Sequence, residues 1–310
     1  MNSDFSLRPA TQADTPAVFR LFLRSMRDLA FRQGVRAMAD GDDPDVIATV
    51  WPQRQPLFEH LARSAHQFWL AERDGEILGY ARSILREGML ELTEFFVSPD
   101  AQSGGIGREL LARVFTGEGV RFRTIIASTD SRAQARYLKA GVYPLFPIYF
   151  FTRKAEDTGT ETDLHFELIH PTEATLGTLA ELDATVLGYR RDVDHHWFMD
   201  TRDGYLIYRG ESLLGYGYIS RGTGGAPYVL LDSADYPAVL AQAETLAARG
   251  GQTDIVYAVP MINRAAVAFL LQRGYRLDPR SLLYMSDHDA PSLQRCLVAV
   301  PPCFLWVAGE

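Results

Sequence analysis

One stretch limits the fold more than any other in this chain: Phe95-Phe96-Val97-Ser98-Pro99-Asp100-Ala101-Gln102-Ser103-Gly104-Gly105-Ile106-Gly107-Arg108-Glu109-Leu110-Leu111. It predicts a strand, a glycine-rich loop and a helix start. An apolar, β-prone run is ended by Pro99-Asp100, and Leu110, Leu111 and Val114 then recur at helical spacing. Amide N–H groups bare of side chains at the positive end of a helix make a ready site for a phosphate or diphosphate. No Lys-Ser/Thr follows the glycines, which argues against an ATP-type loop, and Leu110 stands where a dinucleotide fingerprint needs its third glycine. Taken alone, the loop also admits a tight turn with Gly at positive φ.

The remaining pattern, Gln102-x-x-Gly105-x-Gly107 preceded by Val97-x-Pro99 and followed by Leu110-Leu111, resembles the acetyl-CoA loop of the GCN5-related N-acetyltransferase (GNAT) family. That resemblance implies that the loop amides hold the CoA diphosphate. Two further stretches fall where the family has landmarks. After the β-branched run Thr124-Ile125-Ile126-Ala127-Ser128, residues 130–141 read as a short helix closed by glycine. This helix resembles the family pattern Asn-x-x-Ala-x-x-x-Tyr-x-x-x-Gly at Ala133, Tyr137 and Gly141. Asp130 departs from it, since aspartate can cap a helix but cannot donate through a side-chain amide. Phe5 to Asp14 resembles the family's first strand and turn, so the likeness spans a full domain. It implies acetyl-CoA as cosubstrate, held by Phe95, Phe96, Val97, Gln102, Ser103, Gly104, Gly105, Ile106, Gly107, Arg108, Asp130 and Ala133.

Charge agrees with an anionic ligand at this place. Between Gln102 and Lys139 there are seven basic residues and three acidic ones, although the whole chain carries 31 Lys and Arg against 39 Asp and Glu, net −8. A basic island in an acidic chain is where phosphate would go, and the acidic remainder argues against nucleic acid while suiting a cationic amine. Cys296 and Cys303 are too few for a disulfide framework and lack metal-ligand spacing. Met1-Asn2-Ser3-Asp4 has no basic or apolar leader character, and no run of about 18 apolar residues occurs, so the chain is expected to be cytoplasmic and away from membranes. A homodimer is left open.

Taken in order, the chain predicts a strand at Phe5–Arg8 and an amphipathic helix from Thr15 to Phe31 with Val18, Leu21, Phe22, Met26 and Leu29 inward. The segment from Asp43 to Ala65 has helical spacing that Pro52 and Pro56 are expected to break into pieces. In the family this region shapes the acceptor pocket, which makes Trp51, Phe58 and His60 candidates to line it; Trp51 and Phe58 are read here as cover for the sheet. Gln67–Glu72 and Glu76–Ile84 form a hairpin through Asp74-Gly75, and Met89–Val97 is the next strand. Residues 143–151 read as a last strand pair, and residues 155–163 as a polar linker.

Acetyl transfer to an amine needs a carboxylate, or a water bound to one, to take a proton, and a donor beside the departing thiolate. Backbone N–H groups of a splayed strand can polarise the thioester carbonyl. By resemblance, Tyr137 matches the tyrosine next to the CoA sulfur, Glu91 has the spacing of a general base, and Glu94 lies where other branches carry an acid. Three residues apart on a regular strand, Glu91 and Glu94 face opposite sides unless a bulge intervenes.

The second half echoes the first. Gly210-Glu211-Ser212-Leu213-Leu214-Gly215-Tyr216 matches Gly75 to Tyr80, and Asn263 to Gly274 matches Asp130 to Gly141. The fold class expected is therefore α/β, two tandem GNAT-like domains, each a mixed, mostly antiparallel twisted sheet flanked by helices: 1–154, a linker at 155–163, and a degenerate copy at 164–310. The second copy has no glycine loop before its helix, and Leu270 replaces the tyrosine. In residues 192–200, His195 and His196 are adjacent and point to different sides of a helix, so a metal site is disfavoured. The apolar tail at residues 297–307 suits an added strand. The expected activity is that of an N-acetyltransferase moving acetyl from acetyl-CoA to a small amine or a peptide amine. The alternative is an acyl-CoA sensor without turnover.

Overall fold

The computed structural model describes residues 4–32, 43–102, 104–157, 159, 162–220 and 225–297. They form two compact units: the first runs through Ile126 and includes Asp130–Val142, and the second takes Ala127–Thr129 and the chain from Tyr143 on.

The first unit follows the order β1 (Ser6–Pro9), α1 (Thr15–Arg32), α2 (Pro44–Arg63), β2 (Gln67–Arg73), β3 (Glu76–Arg86), β4 (Met89–Val97), α3 (Ile106–Val114), β5 (Phe122–Ala127) and α4 (Ser131–Lys139). Its strands lie side by side as β1-β2-β3-β4-β5. All pairs are antiparallel except β4 with β5. Asp74 and Gly75, both at positive φ (52° and 80°), make the two-residue turn of the β2–β3 hairpin. α1 buries Val18, Phe19, Leu21, Phe22 and Met26 against the sheet.

α2 corrects one expectation, because Pro52 and Pro56 lie inside one continuous helix. A proline in a helix interior costs about 3 kcal/mol. Here the apolar stripe decides: Leu57, Phe58 and Leu61 are buried, and the Phe58 ring centroid is 5.2 Å from Phe19 and 5.8 Å from Phe22. Trp51 joins the same group, 4.9 Å from Phe19 and 6.0 Å from Phe58, and packs on α1, while Phe58 itself lies against Arg82 of the sheet.

The second unit comprises β6 (Tyr143–Lys154), β7 (Leu164–Leu168), α5 (Glu173–Leu187), α6 (Asp192–Thr201), β8 (Arg202–Arg209), β9 (Ser212–Ser220), β10 (Gly225–Leu230), α7 (Tyr236–Arg249), β11 (Asp254–Pro260), α8 (Arg264–Gln272), β12 (Arg276–Ser286) and β13 (Cys296–Leu297). From β7 to α8 it repeats the first unit's sequence of strand, two helices, three strands, helix, strand, helix. Its strands pair as β13-β10-β9-β8-β7 and as β12-β6-β11. Residues 143–151 are not a strand pair but part of the single strand β6, held on both edges by β11 and β12. Pro144 is accommodated by a register shift opposite Tyr284 and Met285 that leaves Leu145 as the extra residue. Within 155–163, the Ala155 amide donates to Thr253 O and Asp157 pairs with Arg249 at 2.8 Å, while residues 158, 160 and 161 lie outside the described residues. Of the apolar tail at 297–307 only Leu297 is described, in β13 (Cys296–Leu297); residues 298–307 lie outside the described residues.

α6 carries the histidine pair on different sides. His195 is buried and His196 exposed. His195 Nε2 lies 2.9 Å from Asp183 Oδ2 and its Nδ1 2.9 Å from the Tyr218 hydroxyl. Arg191 donates to Asp183 at 2.8 Å, and the Tyr216 hydroxyl donates to the same carboxylate. Burial by itself would raise the Asp183 carboxyl; Arg191, His195 and Tyr216 outweigh it and hold it below its ordinary value.

Candidate active site

The site begins where two parallel strands part. β4 and β5 pair only from Met89–Leu92 against Phe122–Ile125, so among the described residues none of Thr93–Val97 is in that ladder. The opposite edge of β4 stays paired to β3 up to Val97 opposite Gly79. β4 therefore offers an edge to a gap while remaining fixed from behind.

A register shift shapes the same strand. Ser83 faces Leu92 but Arg82 faces Glu94, which makes Thr93 the extra residue of a bulge. The bulge offsets the alternation, and Glu91 and Glu94, opposite Ile84 and Arg82, share a face. The regular-strand expectation that they point apart is thus corrected. That face also carries Phe96, stacked on Tyr80 at 5.5 Å and edge-on to Phe22 at 5.3 Å. Phe95 takes the other face and lies 6.1 Å from the Tyr137 ring.

Beyond β4, a 3-10 turn at Pro99–Ala101 leads to the glycine loop, and α3 starts at Ile106. Gly105 is the N-cap of α3 at φ 89°, a conformation only glycine adopts without strain, and a Cβ there would meet nothing within 4 Å. The space before the first amides of α3 is open, which is what an anion held by a helix N-terminus requires. Gly107 is needed for another reason, since a Cβ would stand 3.1 Å from Phe95 Cζ and 3.4 Å from Arg136 Nε. Ile106 is buried and anchors the helix start, while Arg108 is exposed and pairs with Glu109 at 3.3 Å. Ser103 lies outside the described residues.

α4 supplies cations to that loop. Arg132 Nη1 donates to Gln102 Oε1 at 2.6 Å, and Gln102 Nε2 donates to Val97 O at 3.3 Å, so the side chain before the glycines is clamped at both ends. Arg132 and Arg136 are one turn apart on α4 and both approach the loop. Asp130 caps α4 by accepting from the Arg132 amide at 2.9 Å and pairs with Arg32 of α1 at 3.2 Å. Burial alone would raise its carboxyl; the Arg132 amide and the charges of Arg32 and Arg132 prevail and hold it low. Ala133 is half-buried on the same helix.

Tyr137 is buried at the gap, beneath Phe95. Burial, with Asp130's charge and against that of Arg136, pushes its phenol well above the ordinary value, so it stays a protonated donor at neutral pH. The two glutamates differ. The Glu94 carboxylate is fully enclosed, receives the Tyr80 hydroxyl at 3.1 Å and is gripped by the Arg82 guanidinium. Arg82 in turn donates to Phe58 O at 2.9 Å and lies 4.6 Å over the Phe68 ring. Glu91 is equally buried, opposite Thr124 of β5, at the last paired residues before the gap opens.

The structure thus brings Phe95, Gln102, Gly105, Gly107 and Tyr137 around one opening, with Arg132 and Arg136, which sequence reasoning counted only within a basic island. Arg82 and Tyr80, the partners that engage Glu94, went unread; the signal for them was a polar Tyr-x-Arg alternation inside an apolar strand.

Residues 64–142, which contain β2, β3, β4, α3, β5 and α4, match the acetyltransferase (GNAT) domain family. That segment is similar to the GNAT domain. A putative acetyltransferase from Pyrococcus horikoshii is similar over 96% of this chain and 94% of its own, at 15% identity and a TM-score of 0.71. A GCN5-related N-acetyltransferase from Sphaerobacter thermophilus is similar over 92% and 96%, at 14% identity and TM-score 0.59. A tandem GNAT protein from the clavulanic acid biosynthesis pathway is similar over 91% and 98%, at 14% identity and TM-score 0.57. At such identities the likeness establishes the fold, two tandem GNAT-like halves, and it extends over more than nine-tenths of the chain. Curated proteins give no match. The GNAT fold supports acyl transfer from a CoA thioester to an acceptor. Among the described residues no helix is long and apolar enough to cross a membrane.

Proposed function

We propose that the first half of the chain, residues 1–154, is an N-acetyltransferase that takes acetyl from acetyl-CoA and passes it to a primary amine. The observation that carries this reading is the early end of the β4–β5 ladder at Leu92, directly beside an open, glycine-capped helix start and a buried phenol. The amides from Gly104 to Arg108 suit the diphosphate, with Arg132 and Arg136 adding positive charge behind them. The freed edge of Phe95–Val97 suits the amide-rich pantetheine arm and aims N–H groups at the thioester carbonyl.

In the reaction, the neutral amine nitrogen attacks the thioester carbon, the carbonyl oxygen gains negative charge against the β4 amides, and the C–S bond then breaks. Tyr137 Oη–H gives its proton to the departing sulfur, and the ammonium proton leaves through the Glu91 side of the cleft, directly or by water. In this reading Glu94 serves as the counter-ion of Arg82 and not as the base, since the Arg82 guanidinium and the Tyr80 hydroxyl both donate to its buried carboxylate. Residues 155–163 join this half to the second.

CoA release measured with a panel of small amines, polyamines and peptide amines tests the proposal. Turnover with at least one class is expected. Tight acetyl-CoA binding with no turnover against any acceptor would replace it with the sensor reading.

A further inference from the structure

The second unit repeats the parted strands of the first, but its gap is filled. β10 corresponds to β4: Leu230 faces Gly215 of β9 as Val97 faces Gly79 of β3, so Val229 and Tyr228 hold the positions of Phe96 and Phe95. Along that stretch, on the edge away from β9, β10 carries β13, with Tyr228 opposite Leu297 and Val229 opposite Cys296. Cys296 and Leu297 are completely buried, and β13 also touches β11, the strand that corresponds to β5.

The groups around the gap are spent on this segment. Asn263 caps α8 as Asp130 caps α4; its Oδ1 accepts from the Ala266 amide at 3.1 Å, and its Nδ2 donates to Cys296 O at 3.2 Å. α7 starts at Tyr236 after a connection with no counterpart of residues 102–105, and the buried Tyr236 hydroxyl lies 2.9 Å from Arg295 O and 3.2 Å from Tyr228 O. Arg295 reaches back to Thr185 O at 3.4 Å, and Leu293 is buried beside it.

We propose that the second unit's cleft is a peptide site whose occupant is the chain's own segment 291–297. Asn263 and Tyr236 grip carbonyls of that segment, and β10 receives it as an added strand, a recognition mode in which main-chain hydrogen bonds supply the affinity. The unit is thereby closed to any other ligand between β10 and β11. Two features of the first cleft are inverted together. The loop that would take a diphosphate is missing, and the helix cap is an amide able to donate to a peptide carbonyl where the first unit has a carboxylate that cannot.

The reactivity of the Cys296 thiol with a disulfide reagent tests this in the full chain carrying Cys303→Ser. Cys296 lies under the segment's own hydrogen bonds, so it reacts only when β13 lifts. Labelling at pH 8 is expected to be at least 100-fold slower than for an unfolded thiol. Asn263→Asp keeps the helix cap and removes the donor, and is expected to speed labelling at least tenfold. Tyr236→Phe acts in the same direction and reads the same grip independently should the first variant fold poorly. A wild-type rate equal to that of an unfolded thiol, rates unchanged in both variants, or acceleration of wild-type labelling by saturating acetyl-CoA would each overturn the assignment. The last result would mean that the cofactor competes for the cleft. None of these outcomes depends on whether the first unit turns over substrate.

Discussion

Glu94 decides between two accounts of β4, and Glu94→Gln separates them. In the structure its carboxylate is the counter-ion of Arg82, whose guanidinium is fully enclosed between α2 and the sheet. The amide can still accept from Tyr80, but it leaves Arg82 charged and fully buried. Breaking one side of a buried ion pair typically costs about 3–5 kcal/mol. For a unit of this size that lowers the unfolding temperature by roughly 10–20 °C. The double variant Arg82→Met/Glu94→Leu removes both charges and fills the space with apolar atoms. It is expected to cost much less than the single change, giving a coupling of about 2–3 kcal/mol in a double-mutant cycle. The assay is thermal and urea unfolding of Glu94→Gln and of the cycle Arg82→Met, Glu94→Leu and the double, with kcat for each measured well below its transition. Activity per folded molecule should stay within about threefold of wild type, because the carboxylate takes no part in proton transfer. Glu94→Gln melting within a few degrees of wild type while kcat falls a hundredfold would refute the reasoning and return Glu94 to the role of base.

Three further outcomes follow from the same geometry. Tyr137→Phe should lower kcat by about 100-fold, at the lower end for a general acid, with KM for acetyl-CoA changed less than twofold. Because burial raises the Tyr137 phenol above its ordinary 10.0, the wild-type pH–kcat profile should show no falling limb from this group below pH 10. In the second unit, Asp183 is held below its ordinary 3.8 chiefly by Arg191 and His195 against the effect of burial. Its contribution to stability is therefore present above about pH 4 and lost as pH falls through the lowered value. Urea titrations between pH 3 and 6 should show the second unit weakening toward acid, and Asp183→Asn should flatten that dependence while lowering stability at neutral pH.

Much of this architecture is legible because local signals agree. Asp74-Gly75 fixed a hairpin, the alternation of Met89–Val97 a strand, and the Gln102–Gly107 pattern a loop at a helix start. The echo of Gly75–Tyr80 in Gly210–Tyr216 revealed the duplication from residue types alone. What escaped depends on partners distant in the chain. Pro52 and Pro56 read as breaks because the rings that keep α2 whole, Phe19 and Phe22, come from another helix. The bulge at Thr93 turns Glu91 and Glu94 to one face and has no marker in the β4 sequence, since it is a property of the pairing with β3. Residues 143–151 read as a strand pair, yet ladders to β11 and β12 hold β6 as one strand through Pro144 and Pro147. The role of Asn263 was invisible for the same reason, because its acceptor is 33 residues away in β13.

The measurement closest to the central claim is a calorimetric titration of acetyl-CoA into the full chain and into Gly105→Asp. Gly105 faces open space, so the aspartate meets no clash and bears only the strain of the left-handed φ, about 1–2 kcal/mol, while it sets a charge against the diphosphate at the start of α3. The account predicts saturable binding at one acetyl-CoA per chain, weakened at least 100-fold by the substitution while the melting temperature falls only slightly. No heat with wild type, or equal affinity in the two proteins, would contradict it.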